Sequence, residues 1–116
     1  MEVQVFGVKK SQATRAALRF FAERRVKVHF SDLDVRPAAP GELRRFAQKH
    51  GVEALLDRES KRFLDLGLGP ARYGEEHWLK KLAEDPGLLR LPLVRHQQQV
   101  TIGPAEETWK GWLAKS

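Results

Sequence analysis

The 116-residue chain contains no cysteine, one methionine and one tyrosine. Without a thiol it has no disulfide, no thiolate metal ligand and no dithiol couple of its own. Long apolar runs are missing as well: nothing approaches the roughly eighteen residues of a membrane span. The opening "MEVQVFGV" is not a basic start followed by an apolar stretch and a cleavage site. A cytoplasmic protein with no membrane association is therefore expected. There is no G-x-S-x-G around a serine and no pair of histidines at helical i, i+4 spacing. The usual signatures of a hydrolytic serine and of a zinc site are thus absent. Internal repeats and low-complexity tracts are not found.

The remaining composition is that of a globular protein, 41% hydrophobic and 31% charged, and the length predicts one domain over residues 1–116. Twenty-one Lys and Arg against fifteen Asp and Glu leave a net charge of +6 and a pI near 10.0. That excess permits an anionic partner, but a solvated surface on which bases face acids accounts for it too.

Periodicity gives the order of elements. "VQVF", residues 3–6, alternates as a strand, Gly7 permits a turn, and Ser11 has the chemistry of a helix N-cap. From Gln12 to about Arg24 or Arg25 the helical spacing sets Ala16, Ala17, Phe20 and Phe21 inward and Arg15, Arg19 and Glu23 outward. "VKVHFSDLD", residues 26–34, is a second strand, which completes a right-handed βαβ unit. "RPAAPGEL" opens a helix over 42–49 with Leu43 and Phe46 inward and Gly51 as its stop. "VEALLDRESKRFLDLGLG" predicts short helical turns, and "GEEHWLKKLAEDPG" a helix with Trp78, Leu79 and Leu82 on one face. "LPLVRHQQQVTIG" predicts a hairpin turning at 96–98, and "PAEETWKGWLAK" a closing helix that packs Trp109, Trp112 and Leu113 on the sheet.

Three stretches carry a family resemblance. "FGVKKSQATRAALRF" has an aromatic–Gly strand end running into the first helix, "ESKRFLDLGL" follows, and "EDPGLLRLPLV" precedes the hairpin. In this frame the chain resembles the arsenate reductase-like family that includes the Spx transcription regulators. The resemblance implies an α/β, thioredoxin-like fold: βαβ, a helical insertion at about 40–86, then ββα, around a mixed four-stranded sheet. It also implies that Pro92 is a cis proline facing the start of the first helix.

The family's arsenate chemistry uses a thiolate at the start of that helix and arginines that neutralise the oxyanion. Here Ser11 stands at the cysteine position. Glu59 takes one arginine position with Arg58 beside it, Leu91 takes another with Arg90 before it, and Gly103-Pro104 replaces a Gly-Arg. Serine is no substitute for the thiol, because its pKa starts several units higher. No catalytic residue is assigned, and Ser11 reads as a cap.

Lys9, Lys10, Ser11, Arg58 and Arg90 remain as candidate anion-binding residues. His29 with Asp32, and His77 with Glu75 and Glu76, read as surface residues rather than metal ligands, and no cofactor is expected. The function implied is that of a non-catalytic regulatory or protein-binding domain, with RNA polymerase the partner by analogy with Spx. The alternatives are an oxidoreductase that borrows an external thiol from glutathione or thioredoxin, and a domain that binds a small oxyanion. Arg15 and Arg19, with Lys9, Lys10, Arg24, Arg25 and Lys27 close by, form a basic face suited to phosphates or an acidic protein. No motif for sequence-specific DNA reading accompanies it.

Overall fold

The computed structural model describes residues 1–115, so the last position of the expected 1–116 domain lies outside the described residues. Strand β1 (Glu2–Gly7) leads into helix α1 (Gln12–Glu23) and strand β2 (Lys27–Asp32). Helices α2 (Pro40–His50), α3 (Lys61–Asp65) and α4 (Glu75–Glu84) follow, with 3-10 turns at Val52–Leu55 and Pro86–Leu88. Strands β3 (Leu93–His96) and β4 (Gln99–Ile102) and helix α5 (Glu106–Lys115) close the chain. The sheet order is β2-β1-β3-β4, with β1 parallel to β2 and the other pairings antiparallel. This mixed four-stranded sheet within βαβ and ββα halves is a thioredoxin-like fold.

The chain forms two compact units, one made of Met1–Leu33 and everything from Leu91 on, the other of Asp34–Arg90. In the first unit Val3 and Val5 of β1 and Val94 of β3 are buried with Ala17, Phe20 and Phe21 of α1 and Trp109 and Trp112 of α5. Period two on the strands and period 3.6 on the helices bring these side chains to one face of the sheet. Phe20, Phe21 and Trp109 form an aromatic cluster with ring centroids 5.1–5.4 Å apart, and the Trp109 indole N–H donates to Thr101 Oγ1 at 2.8 Å. That bond gives the large buried ring a fixed orientation on β4.

One position in α1 departs from the sequence expectation. Ala16 is exposed, and the buried place next to Ala17 is taken by Thr14, which is 0% exposed. The other inward residues of α1, and its outward Arg15, Arg19 and Glu23, lie as the periodicity predicts.

In the second unit Leu43, Phe46 and Ala47 of α2, Phe63 of α3 and Trp78, Leu79 and Leu82 of α4 are buried. Pro40 opens α2, where a missing N–H costs nothing, while the Ala39 amide donates to Glu42 Oε1 at 3.0 Å. Ser60 caps α3 by accepting from the Phe63 amide at 3.1 Å, so the short helical turns expected here are one five-residue helix and a 3-10 turn. Leu64 and Leu66 of this stretch are exposed. A single antiparallel bridge joins Leu56 to Leu89.

Because Trp109 Nε1 is buried with Thr101 Oγ1 as acceptor, Thr101→Val leaves a dry N–H unpaired. The expected loss is about 1–3 kcal/mol, read as a lower urea midpoint at unchanged slope. An unchanged midpoint contradicts this role for the bond.

Candidate functional site

Strand β1 ends at Gly7, and residues 8–11 turn the chain into α1. The Ser11 amide closes the turn on the Val8 carbonyl at 3.1 Å. Ser11 has extended backbone angles, φ −76° and ψ 121°, which stop the helix from extending backwards. Its Oγ accepts from the Thr14 amide at 3.1 Å and its carbonyl accepts from the Arg15 amide at 3.0 Å. Of the four N–H groups at the head of α1 with no partner inside the helix, that of Ser11 goes to the Val8 carbonyl and that of Thr14 to Ser11 Oγ, leaving those of Gln12 and Ala13.

Lys9 and Lys10 form the turn and are exposed. The Arg15 guanidinium reaches back from α1 and donates to the Lys9 carbonyl at 2.7 Å, which ties the turn to the helix. Lys9, Lys10 and Ser11 are thus held together by one loop and one cap. The Leu91–Pro92 peptide is cis, and the Pro92 carbonyl accepts from the Gly103 amide at 2.9 Å.

Arg58 and Arg90 lie in the second unit. The Arg58 guanidinium donates twice to Glu53 Oε1, at 2.9 and 2.6 Å, and lies 5.4 Å from the Phe63 ring centroid. Its charge is already matched by a carboxylate. The exposed Arg90 fixes only its backbone, donating to the Leu55 carbonyl at 2.8 Å.

Two features of the first unit escape a reading by motif. The first is Thr14, whose Oγ1 is buried with no hydrogen-bond partner among the described residues. It sits over Gly7: a Cβ built on that glycine falls 2.4 Å from Thr14 Oγ1 and 2.5 Å from Cγ2. Ser-x-x-Thr spacing, three residues on a helix, is the signal that ties Thr14 to the cap.

The second is an open cavity of about 470 Å³ lined by Met1, Glu2, Val3, Gln4, His29, Arg95, His96 and Gln97. It lies at the start of β1, whereas Ser11 follows its end. Strand register explains its chemistry, since Gln4 pairs with both His29 and Arg95. His29, expected as a lone surface residue, shares a hydrogen bond with Glu2 Oε1 at 3.1 Å, and Lys27 lies 3.5 Å from the same oxygen. His77 packs against the Tyr73 ring at 4.2 Å.

The ArsC family model matches residues 6–112, and the chain belongs to the ArsC family. Among solved structures it is similar to the YFFB protein, with a TM-score of 0.86 and 19% identity over 94% of this chain and 96% of that one. It is similar also to an arsenate reductase from Vibrio cholerae, with a TM-score of 0.80 and 22% identity over 93% and 94%. An arsenate reductase (ArsC) related protein from Brucella melitensis follows at TM-score 0.72 and 16% identity over 97% and 95%. No curated protein matches.

The Gly7–Thr14 approach predicts that Gly7→Ala destabilises by about 1–3 kcal/mol through overpacking. Adding Thr14→Ala should recover part of that loss, so the double mutant is more stable than additivity allows; strict additivity in urea denaturation contradicts the contact.

The Glu2 carboxyl is held below its ordinary pKa, first by the hydrogen bond with His29 and then by the charge of Lys27. A carboxyl lowered in the folded state contributes stability above its unfolded pKa and loses it as pH falls through the folded value. In a carbon-detected NMR titration His29→Ala should return the Glu2 midpoint toward the ordinary carboxylate range, and an unmoved midpoint excludes His29 as the main cause.

Proposed function

We propose that this ArsC-family chain is a non-catalytic, Spx-like regulatory domain that acts in the cytoplasm by binding a protein, with RNA polymerase the partner by analogy. The observation that carries this reading is the use of Ser11: where the family resemblance expects a thiolate, a hydroxyl caps α1 through the Thr14 amide at 3.1 Å. An alcohol is not deprotonated near neutral pH by the influences that bring a thiol there, and an alkoxide has no accessible redox couple. The oxyanion arginines give no support for catalysis either, because Arg58 is engaged with Glu53. Any binding activity of such a domain is insensitive to thiol oxidants, since the chain holds no cysteine.

A second reading, binding of a small oxyanion at the start of α1, is favoured by Lys9 and Lys10. Neither is in an ion pair among the described residues, and the Gln12 and Ala13 amides head the helix beside them. An oxidoreductase that borrows glutathione or thioredoxin as the external thiol is the remaining alternative, and it alone predicts turnover.

Arsenate reduction assayed with glutathione, glutaredoxin and thioredoxin systems should be flat. Ser11→Ala should cost only stability, about 0.5–2 kcal/mol for a lost cap. A measurable rate that disappears in Ser11→Ala overturns the non-catalytic reading. Purified RNA polymerase should retain the protein equally before and after diamide treatment, and failure to bind rules out that partner. Chemical shifts of the Gln12 and Ala13 amides on titration with phosphate or arsenate report on the oxyanion reading.

A further inference from the structure

The βαβ segment, residues 2–32, contains seven Lys and Arg and three acids, Glu2, Glu23 and Asp32, a net +4. Outside it fourteen basic and twelve acidic residues leave +2, so this segment holds most of the net charge of the chain. Within the segment Lys27 is matched to Glu2. Arg44, Arg58, Lys61 and Arg62 of the second unit are matched to Glu76, Glu53, Asp65 and Asp85. Among the described residues Lys9, Lys10, Arg15 and Arg19 have no acidic partner.

These four cations form one surface. Arg15 and Arg19 are one turn apart on the side of α1 opposite the buried Thr14, Ala17, Phe20 and Phe21. The Arg15 guanidinium contacts the Lys9 carbonyl at 2.7 Å, which joins the helix to the lysine turn. Arg24 is set apart, its guanidinium stacked 3.8 Å over the Phe20 ring.

We propose that the outer face of α1 and its lysine turn bind the phosphate backbone of double-stranded nucleic acid without reading its sequence. The neighbours of the cations decide among anionic partners. Protein interfaces centre on aromatic or aliphatic anchors, yet the other exposed residues here are Gln12, Ala16, Ala22 and one acid, Glu23, at the far end of the helix. The exposed large apolar residues, Val35, Leu64, Leu66 and Tyr73, all lie outside this face. Single-stranded binding uses aromatic platforms, which the face also lacks. A duplex backbone demands only correctly placed positive charge.

The test is fluorescence anisotropy with a short labelled DNA duplex of arbitrary sequence and the full chain. Four phosphate contacts predict a logarithmic salt slope of about −3.6, so affinity falls roughly 100-fold between about 50 and 200 mM salt. Arg15→Gln with Arg19→Gln should reduce that fall to roughly 10-fold by halving the slope. Lys49→Gln with Lys80→Gln removes the same charge from exposed sites of the second unit and should leave the slope nearly unchanged. Absence of binding at the lowest salt, or equal effects of the two double variants, overturns the proposal. Polyglutamate that competes as well as unlabelled duplex overturns it in favour of an acidic protein. The outcome is independent of the role of Ser11, which none of these variants touches.

Discussion

The close approach of Thr14 to Gly7 sets the geometry of the first unit. With no side chain on Gly7, the first turn of α1 descends onto the end of β1 until the threonine methyl and hydroxyl occupy the space a Cβ would fill. The helix axis then carries Ala17, Phe20 and Phe21 over Val3 and Val5, where Trp109 joins them. Among the described residues the close packing leaves Thr14 Oγ1 buried without a partner, whereas the buried Thr101 hydroxyl is paired with the Trp109 indole. A single missing Cβ thus permits the first turn of α1 to lie this close to the end of β1.

Much of this was legible in the residues. Alternation located the strands, and the prolines and glycines located most helix ends, because both act through short-range backbone geometry that sequence spacing records. The exchange of Ala16 for Thr14 was not legible. A reading by hydrophobicity puts alanine inside and threonine outside, whereas the actual packing is chosen by the shape of the space over Gly7. Nor did the sequence assign a side to the exposed Leu64, since a five-residue helix is too short for periodicity to separate its faces.

At the site the cap and the lysine turn followed from local rules, but the partners of the arginines did not. Glu53 and Arg58 are five residues apart across the link from a 3-10 turn to α3, and nothing in their spacing announces a bond at 2.6 Å. The cavity beside Glu2, His29 and Arg95 depends on strand register, a non-local property that brings together residues distant in the chain. Family membership supplied the frame in which Ser11 became informative, and geometry supplied what Ser11 does there.

A cysteine at the head of a helix makes two quantities depend on each other: the stability of that helix and the redox and protonation state of the thiol, since a thiolate, a thiol and a disulfide interact differently with the helix dipole. The serine cap dissolves this linkage. Its hydroxyl neither titrates near neutrality nor changes oxidation state, so the first turn of α1 has one electrostatic state in place of three. With no thiol at this position, the surface that α1 presents is uncoupled from the redox state around it.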